Sequence, residues 1–567
     1  MESRSENRKF SFRTINSPEI SLILGLLFGS CLLGISRLNP FNTDWIIDGD
    51  LLSNQIAWNY FRRSDLIQWP LNLISNYGVG WSNFGHGSNI LLSIPLKYLT
   101  YLYSGEIQFL GFWICACCAL QGYFAAKILN IYSNARVLVV LLSCNFLMFP
   151  VFLMRIGLMG HPQLGAQWLL LAGMYFLLTE NTSKKYWVII FLLSFLIDLY
   201  LAAMVIVIFL GLVISVNSHL TKKMMFKKIM TSFAFIGSFA LTMLFLLGYF
   251  SLPAGVSGSG FFRISPATLI NPRISSQTTF SIFDSHLTKL NHSYLYKESA
   301  ESFLYLGAGF LLFGIFVLCF GMRDSGVIKN RAFLSLALVS LAMFAVAVSN
   351  RVSVSSFDFS YWWPNQLLEL RQIFRSATRF GWPLAYLISF LICIRILTIE
   401  KLSKFRVQLV CLLLIFNLFD LSPLLKETYR DFRREDRHAV NLRNDLKIVF
   451  SDYSIIYLFP VFDIQVDDAG IYESESIWRE SRLWQDVMIV ASEANLPANF
   501  AYVSRPVGSI VSQKNMETLQ KLQNGDLSPG DLIILISEDD FKLANSLFPV
   551  GVVRFSAGDL YFIGMPK

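Results

Sequence analysis

Ten apolar runs of membrane length recur along the chain, near residues 20–38, 108–130, 137–154, 162–180, 186–217, 229–251, 303–321, 332–349, 382–399 and 407–423. Each is measured against the ~20 residues that carry a helix across a bilayer. The fifth run is too long for one span and carries Asp198 near its middle, which predicts a break there into two helices. That makes eleven spans. A shorter stretch, 89–103, contains Pro95 and Lys97 and reads as an interfacial helix lying along the membrane surface. Basic residues fill the N-terminus (Arg4, Arg8, Lys9, Arg13) and the alternate short loops, at Arg136, Lys184 and Lys185, Lys222 to Lys228, Arg323 to Arg331, and Lys401 to Arg406. The positive-inside tendency therefore puts the N-terminus in the cytoplasm and the end of the chain outside.

Composition agrees with that pattern. Hydrophobic residues make up 54% of the 567 and charged residues only 15%, with a mean hydropathy of +0.50, which fits a polytopic membrane protein and excludes a large soluble enzyme. The net charge of +8 would suit nucleic acid, but the cations that produce it sit in short loops between spans and read as topology signals, so no nucleic-acid partner is expected. All eight cysteines lie inside apolar runs, which predicts neither a disulfide framework nor a thiolate metal site. Cys115 and Cys118 form a CxxC that reads as a pair of small packing residues. The first run has no small-residue cleavage site at its end and is expected to remain as an anchored helix.

With eleven spans the outer side receives the loop 39–107, a turn holding Arg155 and His161, the Asp198 bend, segments 251–302 and 351–379, and everything beyond 423. Candidate polar groups thus converge on one face. Residues 1–423 read as the transmembrane domain and 424–567 as a compact α/β domain, in which short β-rich runs (IVFSDYSIIYLFP, VMIVAS, NFAYVSR, DLIILIS, GVVRFS, DLYFIG) alternate with helical stretches such as ASEANL and DDFKLANSL. There is no solenoid repeat and no inverted two-half symmetry. Walker A, HExxH, GxSxG and zinc-type spacings are missing, which argues against an ATP-driven pump, a zinc protease and an α/β-hydrolase.

Sugar transfer outside the cytoplasm has no nucleotide sugars to draw on, so such an enzyme takes its sugar from a lipid phosphate carrier. It needs a carboxylate to accept the proton of an acceptor hydroxyl, cations for the departing phosphate, and an opening toward lipid. Asp48 and Asp50, in TDWIIDGD ahead of the aromatic LLSNQIAWNYFRR, fit the first requirement; a solvated helix cap is the structural alternative. For the second, LRQIFRSATRFGWP spaces Arg371, Arg375 and Arg379 four apart on one helical face, on the outer side where topology alone does not call for cations. Headgroup anchoring, or pairing with Asp358 and Glu369, is the alternative there. Arg155 and His161 are expected to orient a carboxylate or bind phosphate, or to cap a helix. Asp198 reads as a site residue or a cap, and His86 as part of a Gly-rich loop over substrate or a turn residue. Glu298 and Glu301 precede the helix expected from Ser302, whose N-terminal dipole is a sufficient reason for them, though Glu301 is kept as a substrate-binding candidate. Asp48, Asp50 and Asp198 are the carboxylates a divalent cation (Mg or Mn) would use.

The run TDWIIDGDLLSNQIAWNYFRRSD, followed by QWPLN, NYG, GSNI, SIPL and FLGFWICACCALQGYFAAKIL, resembles a bacterial inner-membrane family known as domain of unknown function 6311, whose members look like glycosyltransferases of the GT-C architecture. RIGLMGHPQLGAQWLLLAGMYF, DLYLAAMV, NPR, ESFLYLG, IFRSATRFGWPLAYL and LPANFAYVSR extend the resemblance over nearly the whole chain. It implies an inner-membrane protein with a periplasmic C-terminal domain, a polyprenyl-phosphate sugar donor, and a glycan, lipid or protein acceptor. It also implies a catalytic Asp50, with Arg155, Gly160 and His161 in the second outer loop and Arg375 and Arg379 near the lipid phosphate. Asn54, Leu92 and Gln167 stand where the family more usually has histidine or aspartate, and Asp198 where it has histidine, which weakens the case for a metal site. A lipid or polysaccharide transporter and a non-catalytic assembly protein are the competing readings. A transporter would place ionisable groups along the centre of several helices, whereas here they gather at the outer ends.

Overall fold

The computed structural model describes residues 16–71, 73–74, 83–84, 89–103, 105–251, 264–273, 281–282, 300–321, 330–354, 357–363, 374, 376–434, 436–459, 464–467, 470–473, 483–500, 516–518, 520–521, 524–539, 541–542, 552–557 and 560–567. Each apolar run forms helix. The chain passes through α1 (Ser17–Leu33), α2 (Gly49–Arg63), α3 (Ile90–Leu99), α4 (Leu110–Asn130), α5 (Arg136–Leu147), α6 (Pro150–Ile156), α7 (Trp168–Leu178), α8 (Lys184–Ile197), α9 (Leu199–Asn217), α10 (Lys222–Leu246), α11 (Ala308–Gly321), α12 (Arg331–Val348), α13 (Trp382–Thr398) and α14 (Arg406–Asp420). Among the described residues six helices are long and apolar enough to cross a membrane, or seven when α5 and α6, bent by 52°, count as one span. The protein is a helical membrane protein.

The break expected at Asp198 falls between α8 and α9, where the carboxylate accepts the backbone N–H of Tyr200 at 2.7 Å and of Leu201 at 3.4 Å. It satisfies donors that a new helix start would otherwise leave open inside apolar surroundings. The run expected to be helical from 303 begins later, at Ala308. Gly307 is left-handed (φ +100), and the buried Asp420 at the end of α14 accepts the Ala308 N–H at 2.7 Å, so the cap comes from another helix and fixes the start five residues on.

Packing around α1 is close. A Cβ on Gly25 would lie 2.3 Å from the carbonyl oxygen of Cys118, and one on Gly29 would lie 3.1 Å from Cys115 Cα, so α1 and α4 meet through small residues four apart. This accounts for the CxxC as packing. Beyond α14, the helix α15 (Ser422–Arg433) folds back to the end of α1, where Arg433 donates to the carbonyls of Leu32 (2.7 Å) and Cys31 (3.2 Å). A cation on the last carbonyls of α1 offsets the negative end of its dipole.

The rest of the chain contains α16 (Arg437–Phe450), strand β1 (Ile455–Phe459), α17 (Leu483–Glu493), β2 (Asp531–Leu535), β3 (Val553–Ala557) and β4 (Leu560–Gly564). The sheet runs β1-β2-β4-β3, with β1 parallel to β2 (Ile455 opposite Asp531) and the other pairs antiparallel (Phe562 opposite Ile534 and Phe555). All five residues of β2 are buried, as a central strand covered on both faces requires. Two expectations fail here: the IVF that opens IVFSDYSIIYLFP ends helix α16, and VMIVAS is helix, not strand, because it forms the buried side of α17 against α2. Tertiary burial overrides the β propensity of its Val and Ile side chains. Of NFAYVSR only Asn499 and Phe500 are described.

Candidate functional site

The site begins at the entry to α2. Asp48 is extended (φ −152), and Gly49 follows at φ +68, a conformation glycine adopts without strain; the two turn the chain so that Asp50 falls in the first helical turn. Asp48 stands at the N-cap position but makes no side-chain cap bond, and its carboxylate accepts from Arg434 at 2.9 Å. The cap alternative is thus not what Asp48 does. Asp50 keeps a third of its side-chain surface exposed.

Opposite, α6 carries Arg155 in its last turn and the chain then turns through 157–161, closed by bonds from Gly160 N–H to Gly157 O (2.6 Å) and from His161 N–H to Arg155 O (3.0 Å). Gly160 has φ +57, and a Cβ there would come within 2.9 Å of Leu51 N, so a side chain would hold this turn away from α2. Contact follows. The His161 Nε2 hydrogen-bonds the Asp50 carboxylate, and Nδ1 lies 3.1 Å from Arg155 Nη1. A guanidinium only donates, so Nδ1 accepts; the proton sits on Nε2 and His161 is neutral. Gln163 donates to the Asn54 side-chain oxygen, and Asn54 donates to Asp50 O at 2.6 Å, tying the same turn to α2 a second time.

Glu301 is not at a helix start. It lies in the single 3-10 turn Ala300–Ser302, well before α11, and the helix-dipole explanation for it fails. Instead its carboxylate takes a two-pronged bond from Arg155 (3.0 and 3.0 Å) and a second guanidinium, Arg379, at 3.2 Å. Burial alone would push Glu301 up, but Arg155 and Arg379 outweigh it and hold the carboxyl well below its usual range. Arg155 is 1% exposed, and its guanidinium faces the Trp382 ring. Arg379 sits in the 3-10 turn Ala377–Gly381, not on an α-helical ladder, and stacks 4.3 Å above the Tyr200 ring. Its Nη1 takes no hydrogen-bonding partner among the described residues. Asp198 acts as the cap described above; burial pushes its carboxyl up, opposed by Arg379 and the two N–H bonds. Arg371, Arg375, His86 and Glu298 lie outside the described residues.

Asp50, His161, Arg155, Glu301 and Arg379 therefore form one connected polar chain, from a half-open carboxylate at one end to a guanidinium at the other whose Nη1 has no partner among the described residues. An open cleft of about 490 Å³ borders the Asp50 end, lined by Asp48, Arg434, Phe432 and the 157–160 turn. Among the described residues, the carboxylates named for a divalent cation have other partners, Asp50 bonding to His161. Both Glu301 oxygens face guanidiniums, Asp48 holds Arg434 and Asp198 holds backbone N–H groups. Among the described residues no three His, Cys, Asp or Glu side chains come together as ligands. Tyr200, Gln163 and Arg434 are site residues the sequence did not mark out, although Tyr200 lies inside DLYLAAMV and Gln163 inside RIGLMGHPQLGAQWLLLAGMYF, motifs that drew notice.

The family model described as domain of unknown function (DUF6311) matches residues 22–422, and that of the DUF6311 C-terminal domain matches residues 447–566. The chain belongs to the DUF6311 family. No curated protein matches it. Among solved structures this DUF6311 member is similar to the Archaeoglobus fulgidus oligosaccharyltransferase in the apo form, with 11% identity over 91% of this chain and 69% of that one and a TM-score of 0.43. It is similar to the archaeal oligosaccharyltransferase AglB from the same organism in complex with an inhibitory peptide and a dolichol-phosphate (12%, 96% and 74%, TM-score 0.38). A third similar structure is ArnT from Cupriavidus metallidurans bound to undecaprenyl phosphate (9%, 96% and 97%, TM-score 0.40).

Proposed function

We propose that this DUF6311 member is a GT-C-type glycosyltransferase that moves a sugar from a polyprenyl-phosphate carrier to a hydroxyl of a cell-surface glycan, lipid or protein. The observation that carries the reading is the connected chain from Asp50 to Arg379. Asp50 takes the proton of the acceptor hydroxyl as its oxygen bonds to the anomeric carbon. The bond from that carbon to the carrier phosphate breaks, and the charge left on the phosphate is met by Arg379 Nη1, with Arg155 behind it. His161 fixes the Asp50 carboxylate without adding charge. Arg371 and Arg375 are assigned to the carrier phosphate in this proposal, and His86 to substrate binding. No metal step is included, because the donors are already engaged.

In the same proposal the protein has eleven spans in the bacterial inner membrane, with the N-terminus in the cytoplasm and residues 424–567 as a periplasmic domain. A periplasm-dependent reporter fused after Leu424 should be active, and one fused after Lys223 inactive; the reverse would remove the outer site. The chemistry is tested with purified protein, a polyprenyl-phosphate sugar and an acceptor. Asp50→Asn keeps shape and loses charge, so it should fold while transfer falls on the order of 10²-fold or more. Wild-type transfer by that variant would overturn the assignment of Asp50.

A further inference from the structure

The three residues that lead into Asp50 are each held by a side chain from the C-terminal part of the chain. Arg443 of α16 donates to Ile47 O at 2.7 Å, Arg434 pairs with the Asp48 side chain at 2.9 Å, and Gln485 of α17 grips Gly49. The last contact is two-way. Gln485 Oε1 accepts the Gly49 N–H at 3.1 Å, and its Nε2 donates to Gly49 O at 2.8 Å and reaches Ser53 Oγ at 3.3 Å.

A side-chain amide offers a donor and an acceptor in one plane, as a peptide unit does, and so matches both backbone groups of one residue. Gly49 is where such a match matters. With φ at +68 and no Cβ it has the widest choice of conformations in the segment, and its N–H is one of the donors a helix start leaves unpaired. Rotation at Gly49 swings Asp50, whose own side chain is held from the far side by His161. Gln485 is 5% exposed, so water does not compete for these bonds.

We propose that Gln485 is a positioning residue for Asp50: by fixing both backbone groups of Gly49, the C-terminal domain sets the direction of the carboxylate that accepts the acceptor's proton. This rests on the reading of Asp50 given above. Other bonds dock α17 on α2 farther along, from Asn59 to Ser492 Oγ (3.1 Å), Arg63 to Ser492 O (2.8 Å) and Tyr60 to Leu496 O (2.8 Å). Loss of Gln485 therefore frees the Gly49 N–H and leaves its carbonyl to Ser53, whose Oγ donates at 3.0 Å, without undocking the helix.

The test compares full-length Gln485→Ala, Gln485→Glu and Ser492→Ala, the last removing a bond in the same interface remote from Gly49. Amide hydrogen exchange over residues 49–53 should rise roughly 10-fold in Gln485→Ala and stay unchanged in Ser492→Ala. In transfer from a polyprenyl-phosphate sugar, kcat should fall on the order of 10²-fold in Gln485→Ala, with KM for the donor unchanged. Gln485→Glu keeps the acceptor for Gly49 N–H and loses the donor, so it should fall between; it also serves should the Ala variant not fold. Unchanged exchange at 49–53 would overturn the grip on Gly49. Raised exchange with wild-type kcat, in a preparation where Asp50→Asn abolishes transfer, would overturn the positioning role. Wild-type transfer by Asp50→Asn would instead sink the reading of Asp50, and this proposal with it, a failure visible without any Gln485 variant.

Discussion

Asp50 and His161, 111 residues apart in sequence, are joined by a hydrogen bond whose direction is set from behind: Arg155 donates to Nδ1, so the imidazole can only donate from Nε2. His161 is thereby a fixed neutral donor that aims the Asp50 carboxylate and leaves it charged. His161→Ala should lower kcat of transfer by roughly 10- to 100-fold, the usual cost of losing an orienting partner, with little change in donor KM. His161→Gln retains a donor and should keep more activity. Steady-state kinetics of the two variants check this, and equal activity of Ala and wild type would leave Asp50 without need of an orienter.

Among the described residues Arg379 Nη1, on the side away from Glu301, has no hydrogen-bonding partner. A charge-assisted, partly desolvated bond to phosphate is worth roughly 1.5–3 kcal/mol. Affinity for a polyprenyl-phosphate analogue should therefore fall about 10- to 100-fold in Arg379→Ala. It should fall less in Arg379→Lys, which keeps the charge and loses the fork. Equal binding by wild type, Lys and Ala, measured on folded protein, would mean that Arg379 only braces Glu301.

Much of the fold is legible from hydrophobic spacing, since a bilayer requires long apolar runs and a carboxylate inside one requires a break, as at Asp198. The site is less legible because its bonds join residues far apart in sequence. Glu301 offers a sufficient local reason, the dipole of a nearby helix, and nothing near it reveals that Arg155 and Arg379 arrive from elements 146 and 78 residues away. Asp48 likewise looks like a cap until Arg434 is brought to it from 386 residues on. In VMIVAS, composition favours strand, and only the surface of α2 selects helix.

Glu301 supports two buried guanidiniums with one carboxylate. Its folded pKa is depressed, so its contribution to stability is present above the usual carboxylate value of about 4.5 and is lost as pH falls below it. Glu301→Gln removes the charge and leaves Arg155 and Arg379 uncompensated, which should cost on the order of 3 kcal/mol at pH 7. Thermal melts at pH 7 and pH 4 should show a large gap between wild type and variant at the higher pH that narrows at the lower. An equal gap at both would assign the loss to packing instead of charge.

Where the segment between α1 and α4 meets the C-terminal part of the chain, Lys447 lies between two carboxylates, 3.1 Å from Glu106 and 3.0 Å from Glu493, while Thr43 donates to Glu106 at 2.5 Å. Burial, with Glu106 adding to it, pushes Glu493 up to about 7. Burial would raise Glu106 too, but Thr43 and Lys447 hold it below its usual value. The two act in opposite senses. Glu493, with its folded pKa raised, contributes stability that is fully present below about 4.5 and lost as pH rises through about 7. Glu106, with its folded pKa depressed, contributes stability present above about 4.5 and lost as pH falls. Through Glu493 alone, docking should thus weaken as pH rises from about 4.5 to about 7, where the folded form keeps a proton that the unfolded form has lost. Glu493→Gln is neutral at every pH and removes that loss. Its melting temperature should exceed that of wild type at pH 8, by roughly 1–3 kcal/mol in stability, and the advantage should shrink as pH falls from about 7 and vanish below about pH 4.5. An advantage independent of pH would show that the amide improves packing there, and that no proton is bound at the junction.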